Sequence, residues 1–118
     1  MFNFEKLDVW QRSIALADVI YGNTRRFPAD ERFGLTNQMR RSVVSLSSNI
    51  AEGSSRSSKT DFARFVEIAA GSGFELVSQS FIARRQGFLA EPDFQEIYAE
   101  SEQIGRMLSG LRSSLIHS

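Results

Sequence analysis

The segment from Lys59 to Gly87 constrains the fold more than any other stretch, because its apolar residues wrap most of a helix. At helical steps of about 100° per residue, Phe65, Ala69, Leu76 and Ala83 fall on one stripe. Phe62, Val66, Ala70, Phe74, Val77 and Phe81 fill the adjoining arc, and Ile68 and Ile82 intrude on the remainder. A helix with so broad an apolar surface cannot bury it against one side of a small bundle. It has to be central or covered by a partner chain. In a four-helix monomer every helix keeps an outer face, so a partner is the expected cover. Phe62, Val66, Phe74, Val77 and Phe81 are the expected oligomer interface.

Three further segments carry helical periodicity. From Asp8 to Arg26, Trp10, Ile14, Ala17, Ile20/Tyr21 and Thr24 recur at three- and four-residue steps, and Phe27-Pro28 stops the pattern. A second segment starts near Asp30-Glu31, passes a weak point at Gly34 and ends at Gly53, which reads as a C-cap. Its apolar face is Leu35, Met39, Val43, Leu46 and Ile50. Ser58 to Asp61 offers a variant capping box that opens the broad apolar helix. Glu91-Pro92-Asp93 opens the last helix, with a seam of Phe94, Ile97, Ser101, Ile104, Leu108, Leu111 and Leu115. Four long helices with short connections predict an all-α, up-down antiparallel four-helix bundle, oligomeric, with residues 1–118 as one domain.

Several function classes fail on inventory. The single histidine, His117, is the next-to-last residue of the sequence, so a Ser-His-Asp relay lacks a positioned base. Glu-x-x-His, which di-iron bundles need twice, does not occur. Glu67 and Glu75 are left as a candidate carboxylate pair, but eight residues is just over two turns, and exposed helical acids usually serve solvation. Gly71-x-Gly73 lies inside a helical pattern and is a packing feature rather than a phosphate loop. The expectation is a non-enzymatic protein without metal or cofactor. The absence of cysteine fits a reducing compartment; with no signal layout at Met1–Lys6 and no long apolar run, a cytoplasmic chain without a membrane span is expected.

Polar residues supply two candidate surfaces. Gln38, Arg41, Ser45, Asn49 and Glu52 form one stripe beside the apolar face of the second helix. It reads either as a groove or as an enclosed network that fixes helix register; the network is favoured, with Arg41 paired inside the protein and Arg40 facing outward. Formal net charge is zero, which argues against a simple nucleic-acid binder. Yet the basic residues are twelve Arg against two Lys, and a guanidinium fork suits carboxylates and phosphates. Arg25, Arg26, Arg40, Arg56, Lys59, Arg84 and Arg85 are the candidate contacts to RNA or DNA, multiplied by oligomer symmetry. A solvated, ion-paired surface is the competing reading. No aromatic-and-basic platform for single strands is evident in the sequence.

The pattern Gln38-x-Arg40-Arg41, Ser45, then Asn49-Ile50-Ala51-Glu52-Gly53 resembles the signature of the bacterial 23S rRNA intervening-sequence protein family, four-helix bundle proteins. Phe4-x-x-Leu7-x-Val9-Trp10-Gln11, Tyr21 before Phe27-Pro28-x-x-Glu31, Phe33-Gly34-Leu35 and Gly71-Ser72-x-x-Glu75-Leu76 agree with it in order, over nearly the whole chain. Ser42, where alanine is common, and Gly73 are minor departures. Gly73 costs the helix about 1 kcal/mol relative to alanine, offset if helices approach closely at Gly71 and Gly73. The resemblance implies a ring-like homopentamer of four-helix protomers. It also implies kinship with the accessory variability determinant of diversity-generating retroelements, which binds nucleic acid and a reverse transcriptase. The function expected is therefore an RNA-associated accessory module; the alternative is a protein-interaction scaffold that binds no nucleic acid.

Overall fold

The computed structural model describes residues 1–117, and among them every regular element is helical. A short 3-10 turn at Asn3–Lys6 leads into α1 (Asp8–Thr24), and a second at Ala29–Glu31 precedes α2 (Leu35–Ser54). α3 (Lys59–Arg85) and α4 (Glu91–Ile116) complete the chain. Each helix packs on two neighbours: α1 on α2 and α4, α3 on α2 and α4. With short connections this is an antiparallel four-helix bundle, 45 × 22 × 20 Å.

Local chemistry sets the helix ends. The Ser58 hydroxyl accepts from the Asp61 backbone N–H at 3.1 Å and caps α3. Pro92 sits in the first turn of α4 between Glu91 and Asp93, where a missing N–H costs nothing and negative charge meets the positive end of the helix dipole. α2 begins one residue after Gly34, later than its sequence pattern indicates, because the Ala29–Glu31 stretch closes as a separate 3-10 turn.

Gly53 is not a C-cap. α2 continues through Ser54, and a Cβ at Gly53 would stand 2.7 Å from the Cβ of Phe65 and 3.0 Å from Cδ1 of Phe62. The residue lets α2 and α3 approach at this point. Gly71 and Gly73 do the reverse of what was expected: a Cβ at either would meet nothing within 4 Å.

The core follows the apolar stripes with one change of register. Leu35, Met39, Val43, Leu46 and Ile50 of α2 are all buried, as are Phe65, Ala69, Leu76 and Ala83 of α3. In α1 the buried face is Val9, Ser13, Leu16, Ile20 and Thr24, and Ile14 is exposed. Ser13 enters the core because its hydroxyl donates to the Trp10 carbonyl at 2.6 Å, so no polar group is stranded. The arc of α3 that the bundle leaves uncovered carries Ile68, Phe74, Phe81 and Ile82, all exposed.

Candidate functional site

The α1–α2 and α3–α4 connections share one end of the bundle, where the rings of Phe27 and Phe88 lie 5.8 Å apart. Five of the candidate basic residues gather toward this end: Arg25, Arg26, Arg40, Arg84 and Arg85. Arg56 and Lys59 flank the α2–α3 connection at the opposite end. The seven therefore do not form one patch on a protomer.

Ion pairing sorts the arginines in the same way. Away from the shared end every guanidinium has a carboxylate: Arg12 with Glu100 (3.5 Å), Arg56 with Glu52 (2.9 Å), Arg64 with Asp61 (3.2 Å), Arg106 with Glu102 (3.7 Å) and Arg112 with Glu67 (2.9 Å). Toward the shared end, Arg26 meets Asp93 at 3.4 Å and Arg84 pairs with Glu91. Arg25, Arg32, Arg40, Arg41 and Arg85 have no carboxylate at ion-pair distance among the described residues. Exposed pairs contribute little to stability, so the sorting matters for what the surface offers a ligand, not for folding.

Arg40 and Arg41 exchange the roles read from the helix wheel. Arg40 is half-buried; its Nε donates to Thr24 Oγ1 at 2.9 Å and its guanidinium lies 4.6 Å from the Tyr21 ring centre. Arg41 is exposed. The reason is geometric: the wheel shows how two positions diverge but not which neighbour lies beside each. Arg40 turns to α1, and Arg41 hangs over the groove between α2 and α3.

That groove, about 430 Å³, is lined by Gln38, Arg41, Ser42 and Ser45 of α2 and by Ser72, Glu75 and Gln79 of α3. Its floor is hydrogen-bonded across the helices. Ser42 Oγ donates to Gln79 Oε1 at 3.0 Å, and the Ser45 and Ser72 hydroxyls are 2.8 Å apart. Asn49 Nδ2 donates to the Ser45 carbonyl (2.8 Å) and hydroxyl (3.1 Å), whereas Glu52 turns away to Arg56. Three of the seven lining residues thus come from α3, at three- and four-residue steps; the sequence reading names Ser72 and Glu75 in other roles and does not join them or Gln79 to the stripe.

A second and larger groove, about 990 Å³, runs between α3 and α4 and is mainly apolar. Val66, Phe74, Val77 and Phe81 line it; Phe62 does not, being packed toward Gly53 on the α2 side. Phe81 is braced by Phe94 (4.8 Å between ring centres) and Tyr98 (6.1 Å). The Ser101 hydroxyl borders this groove, buried and without a hydrogen-bond partner.

A family model described as 23S rRNA-intervening sequence protein matches residues 5–110. The chain belongs to this family. A crystal structure of a protein of unknown function from the S23 ribosomal protein family, from Bacteroides thetaiotaomicron VPI-5482, superposes with a TM-score of 0.82. The two share 22% identity over 88% of this chain and 97% of that one, a likeness of fold. No curated protein matches the sequence.

In this member of the 23S rRNA-intervening sequence family, the shared end also carries Arg32, absent from the sequence reading, and Phe33, which the sequence reading names only within a family motif. Phe33 is 83% exposed, and the Arg32 guanidinium lies 5.0 Å from its ring centre. One aromatic-and-basic pair, which the sequence reading did not join, is therefore present here. Its sequence signals are an Arg-Phe dipeptide outside any helical period and the Phe33-Gly34-Leu35 motif that follows from it. Among the described residues no group of three or more His, Cys, Asp or Glu gathers as metal ligands, and no helix is long and apolar enough to cross a membrane.

Proposed function

We propose that this protein is a non-enzymatic, cytoplasmic homo-oligomer that associates with RNA through its arginine-rich end. The observation that carries the reading is the sorting of ion pairs. Guanidinium groups without carboxylates collect toward one end, while those elsewhere are neutralised in place. Such groups meet phosphate without first breaking a salt bridge. Arg25, Arg40 and Arg85 supply this surface; Arg26 and Arg84 would have to exchange a carboxylate for a phosphate. The family's description, which ties it to 23S rRNA intervening sequences, favours RNA as the anion. A zero net charge in the protomer makes repetition by symmetry the means of building a strong field.

The oligomer is assigned to the apolar α3–α4 face, where Phe74 and Phe81 are left uncovered by their own chain. Five subunits are the count that the family resemblance implies. The α2–α3 polar groove is given a fixing role, holding the two helices in register.

Light scattering on the protein alone, then with a labelled RNA at about 50 and 200 mM salt, tests both parts. Binding should weaken steeply with salt, and the double variant Arg25→Ala/Arg85→Ala should flatten the slope. Asn49→Ala should leave RNA affinity intact while lowering stability by about 1 kcal/mol. Negligible affinity at the lower salt would leave the protein-interaction scaffold as the reading.

A further inference from the structure

Phe33 differs from the other exposed aromatic residues in what surrounds it. A lone apolar ring in water is ordinary on a protein surface. Phe74 borders the α3–α4 groove, and Phe2 stacks on Phe4 with 5.6 Å between ring centres. Phe33 instead projects from the connection between α1 and α2, at the end toward which the arginines without carboxylates collect.

Its backbone is fixed on both sides. The Arg32 N–H donates to the Ala29 carbonyl at 3.2 Å and the Gly34 N–H to the Glu31 carbonyl at 2.9 Å. Glu31 Oε1 then accepts from the Leu35 N–H at 3.1 Å, the first residue of α2. A side chain at Gly34 would collide with this cap, since its Cβ would fall 2.8 Å from Glu31 Oε1. Phe27 and Leu35, both buried, anchor the connection on either side. The ring therefore sits on a rigid mount and has little freedom to lose when something stacks on it. The Arg32 guanidinium lies 5.0 Å from the ring centre, and at 83% exposure the ring keeps ample surface free in water.

We infer that Phe33, with Arg32 against it, is a stacking platform for an unpaired base of single-stranded RNA whose phosphates lie on the neighbouring arginines. The inference rests on the proposed RNA association and sharpens it from RNA to unpaired RNA. A flat aromatic face among phosphate-binding groups takes any base by its π-surface, so sequence preference should be weak. A paired duplex hides those faces and offers only its backbone and groove edges.

Fluorescence anisotropy with a labelled oligouridylate and with an RNA duplex of equal length tests this. Phe33→Ala should weaken oligouridylate binding about fivefold or more and leave duplex binding and the salt slope unchanged. Phe33→Trp should keep the affinity and add fluorescence that oligouridylate quenches, beyond any change in the parent protein. The inference is overturned if Phe33→Ala binds oligouridylate as the parent does, or loses both RNAs equally. It is equally overturned if the substitution lowers the solution mass, which would make Phe33 a subunit contact. If the parent protein binds neither RNA, the proposed function falls, and this inference with it; parent binding with an indifferent Phe33→Ala would sink the inference alone.

Discussion

α3 has two flanks, and they are built on opposite rules. Toward α2 it packs tightly: Gly53 lets the helices close, and serine, asparagine and glutamine side chains bond across or beneath the seam. Toward α4 it leaves a groove more than twice as large, walled by Val77, Phe74 and Phe81, with Gly71 and Gly73 facing open space. A polar, satisfied seam specifies one register of its own chain. An apolar, unfilled one gains free energy only from something that covers it. The broad apolar arc of this helix is thus divided: one part is buried within the protomer, and the other stays uncovered by its own chain, the face to which the proposed assembly is assigned.

The largest effect should come from charging the uncovered flank. Phe74 is 78% exposed, so Phe74→Asp removes little from the protomer's own core and should leave helicity and monomer stability near parent values. In an oligomer closed by this face, a central aromatic replaced by a charge should cost about 2–4 kcal/mol per contact, enough to disperse it. Light scattering should then report the protomer mass of 13.3 kDa. An unchanged oligomer would move the interface elsewhere and end the division drawn between the flanks.

Next in size is the tight flank. Gly53→Ala places a methyl 2.7 Å from Phe65 Cβ, which is no flexible tip but an atom fixed to the α3 backbone. Relief requires separating the helices or shifting Phe62 and Phe65, a strain of about 1–3 kcal/mol. Urea denaturation should show that loss at unchanged m-value. A neutral result would mean that α2 and α3 do not approach so closely.

The two flanks also mark what sequence can reveal. The α2 face from Leu35 to Ile50 was legible because only one helical period fits it. α1 carries two competing faces, and the aromatic one, with Trp10 and Ile14, outweighed the true one, which includes Ser13. A core serine is acceptable only through its bond to the Trp10 carbonyl, and no hydropathy pattern encodes that bond. In the candidate sites, the α2 half of the polar groove was visible as a stripe. Its α3 half, Ser72, Glu75 and Gln79, acquires meaning only once the helices are paired. The sorting of arginines rests partly on contacts between helices, Arg112 with Glu67 and Arg12 with Glu100, that lie far apart in the chain. Arg56 with Glu52, Arg64 with Asp61 and Arg106 with Glu102 are three or four residues apart and lie within reach of the sequence. Arg32 and Phe33 lie in the connection between α1 and α2, outside every periodic pattern, so helical periodicity says nothing of them.

The smallest predicted effect has the sharpest sign. Gly73→Ala makes the same chemical change as Gly53→Ala, on the opposite flank. With nothing within 4 Å of the added methyl, the gain in helix propensity stands uncancelled, about 0.5–1 kcal/mol in favour of the folded protomer. Glycine at this position is therefore locally unfavourable in an isolated chain. If the groove is a subunit interface, the missing side chain is space reserved for a neighbour, and the methyl that stabilises the protomer should weaken the assembly. Denaturation under monomeric conditions, such as in a Phe74→Asp background, should show the gain; a dilution series followed by light scattering should show the loss. Stabilisation without any change in association would mean that the partner does not enter the groove at Gly73, and would confine the interface to the aromatic rim around Phe74 and Phe81.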